Sequence, residues 1–167
     1  SQRWRGQRVE NATLLIFAEQ GFGDTLQFCR YVPLAQAHSG AARVIVEVQP
    51  PMLSLLSCFE SGACTVIARG DPIPPVDFDI PMLNLPGLFD STLEKIPGET
   101  PYLKTDSALA QDWKARVDSA NPSPNSRKIG FVWSGNPNRQ DDALRSCPME
   151  EIGHLWDVPD CTIVSLQ

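Results

Sequence analysis

Residues 13–24 read TLLIFAEQGFGD. The first six of them, TLLIFA, form an unbroken apolar run of strand length. A strand with one wet face would alternate polar and apolar residues, so the unbroken run fits a strand buried on both faces, as in a parallel sheet. EQGFGD then makes a glycine-containing turn. After it, DTLQFCRYVPLAQAHS places apolar residues at 26, 28, 29, 32 and 35, roughly a helical spacing. Pro33 predicts a kink or an early break in that helix, and Gly40 closes it. The stretch is therefore strand, turn and helix, the opening unit of an α/β fold.

The same alternation continues outward. ARVIVEV (42–48) is rich in Val and Ile and predicts a second strand. PPMLSLLSCFE opens on proline and predicts a short helix, and CTVIA (64–68) a third strand. Residues 69–101 are Pro-rich and irregular, with short apolar pieces such as FDIPML and NLPGLF. PYLK (101–104) is a candidate short strand. SALAQDWKARVDSA predicts a helix, and NPSPNSR (121–127) is a linker by composition. KIGFVWS then starts a fresh buried strand, followed by the polar loop GNPNRQDDALRS, a helix PMEEIGHLW, and a last strand CTIVSL. The expected architecture is α/β: a Rossmann-like, doubly wound parallel sheet over residues 1–120, with helices on both faces and right-handed crossovers. A linker at 121–127 leads to the first β-α-β unit of a second Rossmann-like domain at 128–167. That unit has too few elements to bury both faces of a parallel sheet, and the chain lacks an initiator Met, so it reads as a piece of something longer. Covering its VW and IV side chains calls for tight packing on the first domain or for a homodimer.

Composition removes several function classes. The chain has 167 residues, 42% of them hydrophobic and 20% charged, which is ordinary for a globular domain with a core. Net charge is −6 and no Lys/Arg run exists, so a nucleic-acid partner is not expected. Five cysteines at 29, 58, 64, 147 and 161 show no C-x-x-C spacing. That argues against a metal site or a disulfide framework and for small buried hydrophobes in a reducing, cytoplasmic compartment. No signal peptide and no apolar run of membrane-spanning length is visible.

Two loops carry residues with chemical potential. Gly21-Phe22-Gly23-Asp24 lies between the first strand and helix, where glycines allow a tight turn and close ligand approach. A dinucleotide fingerprint would need a third glycine where Leu26 stands, and the Asp24 carboxylate would repel a pyrophosphate. Asp24 is either a helix N-cap, with Asp24-Thr25-Leu26-Gln27 as a capping box, or a catalytic carboxylate; pattern alone favours the cap. The second loop runs from Ser134-Gly135-Asn136 to Arg145-Ser146. It is either a solvated loop or, with Arg139 and Arg145, a diphosphate cradle at the next helix N-terminus; pattern alone favours the solvated loop. His38 and His154 have no partner in the sequence and suit structural roles. Trp113, Trp133 and Trp156 are expected in the core rather than as sugar platforms.

The strings ATLLIFAEQGFGDTLQFCRYVPLAQ, ARVIVEVQPPMLSLL, GDPIPPVDFDIPMLNLPGLF, IPGETPYLK, KIGFVWSGNP, LRSCPMEEI and IVSLQ resemble, in order from Trp4 to Gln167, one family. It is the bacterial tetratricopeptide-repeat proteins whose C-terminal half is a glycosyltransferase similar to the lipopolysaccharide heptosyltransferases. The resemblance implies a GT-B fold, with residues 1–120 on the acceptor side and residue 128 onward starting the domain that holds a nucleotide-diphosphate sugar. It implies a glycan or protein acceptor, Asp24 as the base that deprotonates the acceptor hydroxyl, and Ser134, Asn136 and Arg145 at the donor phosphates, with neither metal nor cofactor. In that family the second domain continues with residues that grip base and ribose, and tetratricopeptide repeats precede the first. Both are absent from this chain, which is therefore expected to be inactive alone. The alternative is a non-catalytic binding module that keeps the fold without the chemistry.

Overall fold

The computed structural model describes residues 1–98, 100–120, 126–135 and 140–166. They fall into two compact units, Ser1–Thr105 and Asp106–Gln167. The first is built on a five-stranded parallel sheet of order β1-β5-β2-β3-β4. Its strands are β1 (Gln2–Arg3), β2 (Thr13–Phe17), β3 (Arg43–Val48), β4 (Cys64–Ala68) and β5 (Phe78–Pro81). β2 is the apolar run of the opening stretch. It pairs on one side with β3, Leu14 opposite Val44 and Ile16 opposite Val46, and on the other with β5, Ile16 opposite Ile80.

Alternate residues of these strands, Leu14, Ile16, Val44, Val46, Val48 and Ile80, are fully buried in one cluster with Cys29, Val32, Ala35, Leu56 and Leu85 from the helical segments. Each such aliphatic side chain contributes about 1.5–3 kcal/mol on burial. The helices are α1 (Phe22–Phe28), α2 (Val32–Ser39), α3 (Leu53–Leu56) and α4 (Leu85–Leu88). The break expected at Pro33 is present: α1 ends at Phe28, a 3₁₀ turn spans Cys29–Tyr31, and Pro33 falls in the first turn of α2, where its missing N–H leaves no bond unmade. Gly40 closes α2 in the left-handed region at φ 63°, and its N–H donates to the Gln36 carbonyl. That positive φ is what favours glycine here; the exposed Arg8 guanidinium that a Cβ would meet at 2.6 Å can move aside.

Three expectations change. β5 arises inside the stretch read as irregular and takes an interior place in the sheet, between β1 and β2. β1 arises in the polar start and pairs in parallel with β5. PYLK makes no strand; the Tyr102 hydroxyl instead donates to the Leu26 carbonyl at 2.8 Å, and the Arg30 guanidinium stacks 4.2 Å from the Tyr102 ring centre.

The second unit holds α5 (Ser107–Ala120), β6 (Arg127–Phe131), α6 (Met149–Ile152) and β7 (Cys161–Ser165). α5, placed by composition ahead of the linker, groups with this unit; residues 121–125 of the linker lie outside the described residues. β6 and β7 pair in parallel, Ile129 opposite Ile163, and the described part of their connection holds the single turn α6 and two 3₁₀ segments, so the β-α-β order is present with a short helix. Hydrogen bonds from Lys114 and Lys128 hold the Asp118 carboxyl down to about 2. Trp113 is 55% exposed and Trp156 45%, so neither is the core residue expected. Among the described residues, no helix is long and apolar enough to cross a membrane.

Candidate functional site

The strand order sets where a ligand can enter. From β2 the chain moves outward to β3 and β4, then returns to place β5 on β2's other side. The direction of strand addition therefore reverses between β2 and β5. Such a switch point opens a crevice at the C-terminal edge of a parallel sheet. The turn that leaves β2 here is Ala18–Asp24, the glycine-containing turn of the opening stretch. The 3₁₀ turn that leaves β5, Met82–Asn84, touches α1.

Within that turn, Asp24 is not the helix cap. Gly21, extended at φ −75° and ψ 175°, is the N-cap, and Asp24 sits three residues on, in the first turn of α1. Its Oδ2 accepts the Gly21 N–H at 3.1 Å, while Thr25 N–H donates to the Gly21 carbonyl to start the helix. This is the back-bonding half of a capping box. With Gly21 in the extended N-cap conformation, Asp24 falls at the third helical position, where its side chain reaches back to the cap N–H. Asp24 remains partly exposed. Gly21 and Gly23 both keep ordinary backbone angles, so the tight-turn argument for them does not apply. Their contribution is room: nothing lies within 4 Å of a Cβ placed at Gly23.

Several groups missed in the sequence hold this turn. Gln49, directly after β3, is 7% exposed, and its Nε2 donates to the Gln20 carbonyl at 2.7 Å. Its Oε1 accepts from the Thr25 hydroxyl at 3.0 Å. Arg69, directly after β4, donates to the Ala18 carbonyl. Glu19 carries a buried Oε2 with no hydrogen-bond donor among the described residues. A buried acceptor in that state is destabilising, so Glu19→Met is expected to raise the unfolding free energy by about 1 kcal/mol, read by chemical denaturation. A drop in stability would mean that the Glu19 carboxylate is held by a partner after all. The thiol of Cys29, beyond α1, is pushed up to about 12, mainly by burial, with Cys58 adding to the effect, and burial likewise pushes Cys64 up to about 11. Neither is a nucleophile at neutral pH.

The loop after β6 is the second place the sequence singled out. Asn136 and Arg139 lie outside the described residues. Ser134, Gly135, Arg145 and Ser146 come together: Gly135 N–H donates to Ser146 Oγ at 2.9 Å, and Ser146 Oγ donates to Asp142 Oδ1 at 2.8 Å. A Cβ on Gly135 would stand 2.8 Å from Asp142 Oδ1 and 3.2 Å from Arg145 Nε, so a larger residue there would displace these two side chains. Arg145 itself is exposed. A groove of about 450 Å³ runs past Trp133, Ser134, Ser146 and Met149. The helix expected to aim its N-terminus at an anion is a single turn, Met149–Ile152, with Glu150 and Glu151 in that turn and Gly153 ending it. One turn carries little of a helix dipole, and two carboxylates oppose an anion there. Among the described residues, no group of His, Cys, Asp and Glu could hold a metal ion.

No family model matches the chain, and no solved structure matches it. It is similar to protein FlbA of Caulobacter vibrioides, 26% identical over 190 residues, an overlap that takes in 99% of this chain and 30% of that protein. The chain thus spans under a third of that relative's length.

Proposed function

We propose that the chain carries the acceptor side, and the beginning of the donor side, of a GT-B glycosyltransferase that moves a sugar from a nucleotide-diphosphate donor to a hydroxyl acceptor. The observation that carries the reading is Asp24: a partly exposed carboxylate on an open turn, tethered by one backbone N–H, at the switch point of a parallel sheet. A sugar hydroxyl is a weak nucleophile. A carboxylate within hydrogen-bond reach takes its proton as the oxygen attacks the anomeric carbon. The bond from that carbon to the donor phosphate oxygen breaks, and the nucleoside diphosphate leaves with the electron pair. In this reading Arg145 neutralises the charge gathered on the leaving group, and Ser134 and Asn136 contact the donor phosphates, as the family resemblance implies.

In the full protein, calorimetry with a panel of nucleoside diphosphates is expected to find binding by at least one of them. Arg145→Ala is expected to weaken that binding by roughly 10–100-fold, the loss of a charge-assisted hydrogen bond. The second reading is a binding module without catalysis. The acidic groups beside the donor loop, Asp142, Glu150 and Glu151, favour it, because they oppose a diphosphate. Absence of binding by every nucleoside diphosphate would select that reading.

A further inference from the structure

Gln49 and Thr25 are, with Ser39, the buried polar residues among those described. A buried amide is destabilising unless both its ends are bonded, and both ends of Gln49 are. Where those bonds go is the informative part. The Gln49 amide nitrogen holds the carbonyl of Gln20, and that carbonyl and the Gly21 N–H belong to one peptide unit. The unit is planar and trans, so fixing the direction of its C=O fixes the direction of its N–H on the opposite side. The Gly21 N–H is the donor that holds the Asp24 carboxylate at 3.1 Å. Thr25, 1% exposed, completes the frame: its hydroxyl, one residue beyond Asp24, reaches the Gln49 Oε1 at 3.0 Å and lies 3.2 Å from the Gly21 carbonyl.

We infer that Gln49 is a positioning residue for Asp24, acting through the Gln20–Gly21 peptide: it holds the carbonyl so that the N–H on the other side aims the carboxylate into the crevice. The catalytic consequence rests on the sugar-transfer reading; the aiming itself does not. An apolar residue of the same length would fill the space under β3 but leave the peptide free to rotate. Arg69, directly after β4, fixes the Ala18 carbonyl two residues earlier, so the turn is held ahead of Gly21 while Gly21–Gly23 stays exposed.

The test uses Gln49→Met, which keeps length and removes both bonds, and Gln49→Glu, which keeps size and the acceptor for Thr25 but faces the Gln20 carbonyl with an oxygen. In the full protein either change is expected to lower kcat roughly 10²-fold with KM for the nucleotide-sugar held within about two-fold. Introduced into an Asp24→Asn background, neither is expected to reduce turnover further. An equal loss in both backgrounds, or an unchanged kcat, overturns the positioning role, because a merely structural loss would not depend on Asp24. The aiming is read separately by hydrogen exchange at the Gly21 amide, expected to quicken about ten-fold or more in Gln49→Met. Unchanged exchange there overturns the inference whatever the activity. Wild-type turnover in Asp24→Asn alone would instead sink the catalytic reading, with the Gly21 exchange still deciding whether Gln49 aims that carboxylate.

Discussion

Asp24→Asn in the full protein is expected to lower turnover by about 10²-fold or more, the usual contribution of a positioned general base. The substitution separates chemistry from structure because of where Asp24 stands. At the third helical position its side chain braces the Gly21 N–H, and an asparagine carbonyl oxygen can accept the same bond. What is lost is the negative charge near the start of α1, about 0.3–1 kcal/mol of interaction with the helix dipole. Fold and melting behaviour should therefore stay close to those of the parent, while a hydroxyl acceptor finds an amide that cannot take its proton. The measurement is steady-state transfer from a nucleotide-sugar, with the unfolding midpoint recorded on the same preparation. Parental turnover in Asp24→Asn would reduce Asp24 to a helix brace and leave the crevice as a binding surface.

The parts of this site that were legible in the sequence are those whose signal is local. TLLIFA is an unbroken apolar run because β2 is an interior strand buried on both faces, Leu14 and Ile16 on one and Leu15 on the other. The turn after it announces itself through two glycines and a carboxylate. β5 was hidden because FDIP is four residues long and ends on Pro81; a proline at the last strand position breaks no ladder bond inside it, yet reads as loop. Gln49 was hidden for a different reason. A polar residue before Pro50-Pro51 looks like loop chemistry, and its burial exists only once β3 lies beside β2. Asp24 was visible, but its role within the turn depended on which residue took the extended N-cap angles, a matter of one backbone dihedral that composition does not encode. In the second unit the helix signal failed at Gly153, where a regular amphipathic pattern gives way after one turn to a 3₁₀ segment, Gly153–Asp157.

Trp4→Ala is expected to remove about 3–5 kcal/mol of stability, the range for deleting a large buried aromatic side chain. Trp4 stands in a stretch, SQRWRGQRVEN, whose composition suggests a loose polar end. In the structure it is 1% exposed, the largest of the fully buried side chains. Its indole N–H donates to the Gln7 carbonyl at 2.7 Å, its backbone N–H donates to the Asp79 carbonyl at 2.9 Å, and its ring meets Phe89 edge-on with centroids 6.4 Å apart. β1 is two residues long and cannot hold itself on the sheet by ladder bonds alone. The indole is the anchor, and the His38 ring locks the segment behind it by a bond to the Gly6 carbonyl at 2.8 Å. Truncating Trp4 leaves a cavity beneath α4 and frees β1, which turns β5 into an unprotected edge strand beside the crevice. Trp4→Phe keeps most of the volume and loses the indole bond, so its loss should be smaller, about 1–2 kcal/mol. Urea unfolding of both variants measures the difference. A loss below about 1 kcal/mol for the alanine variant would mean that the first eight residues contribute little to the sheet. A loss in the expected range makes the sheet edge next to the Asp24 turn dependent on a single aromatic residue far from it in sequence.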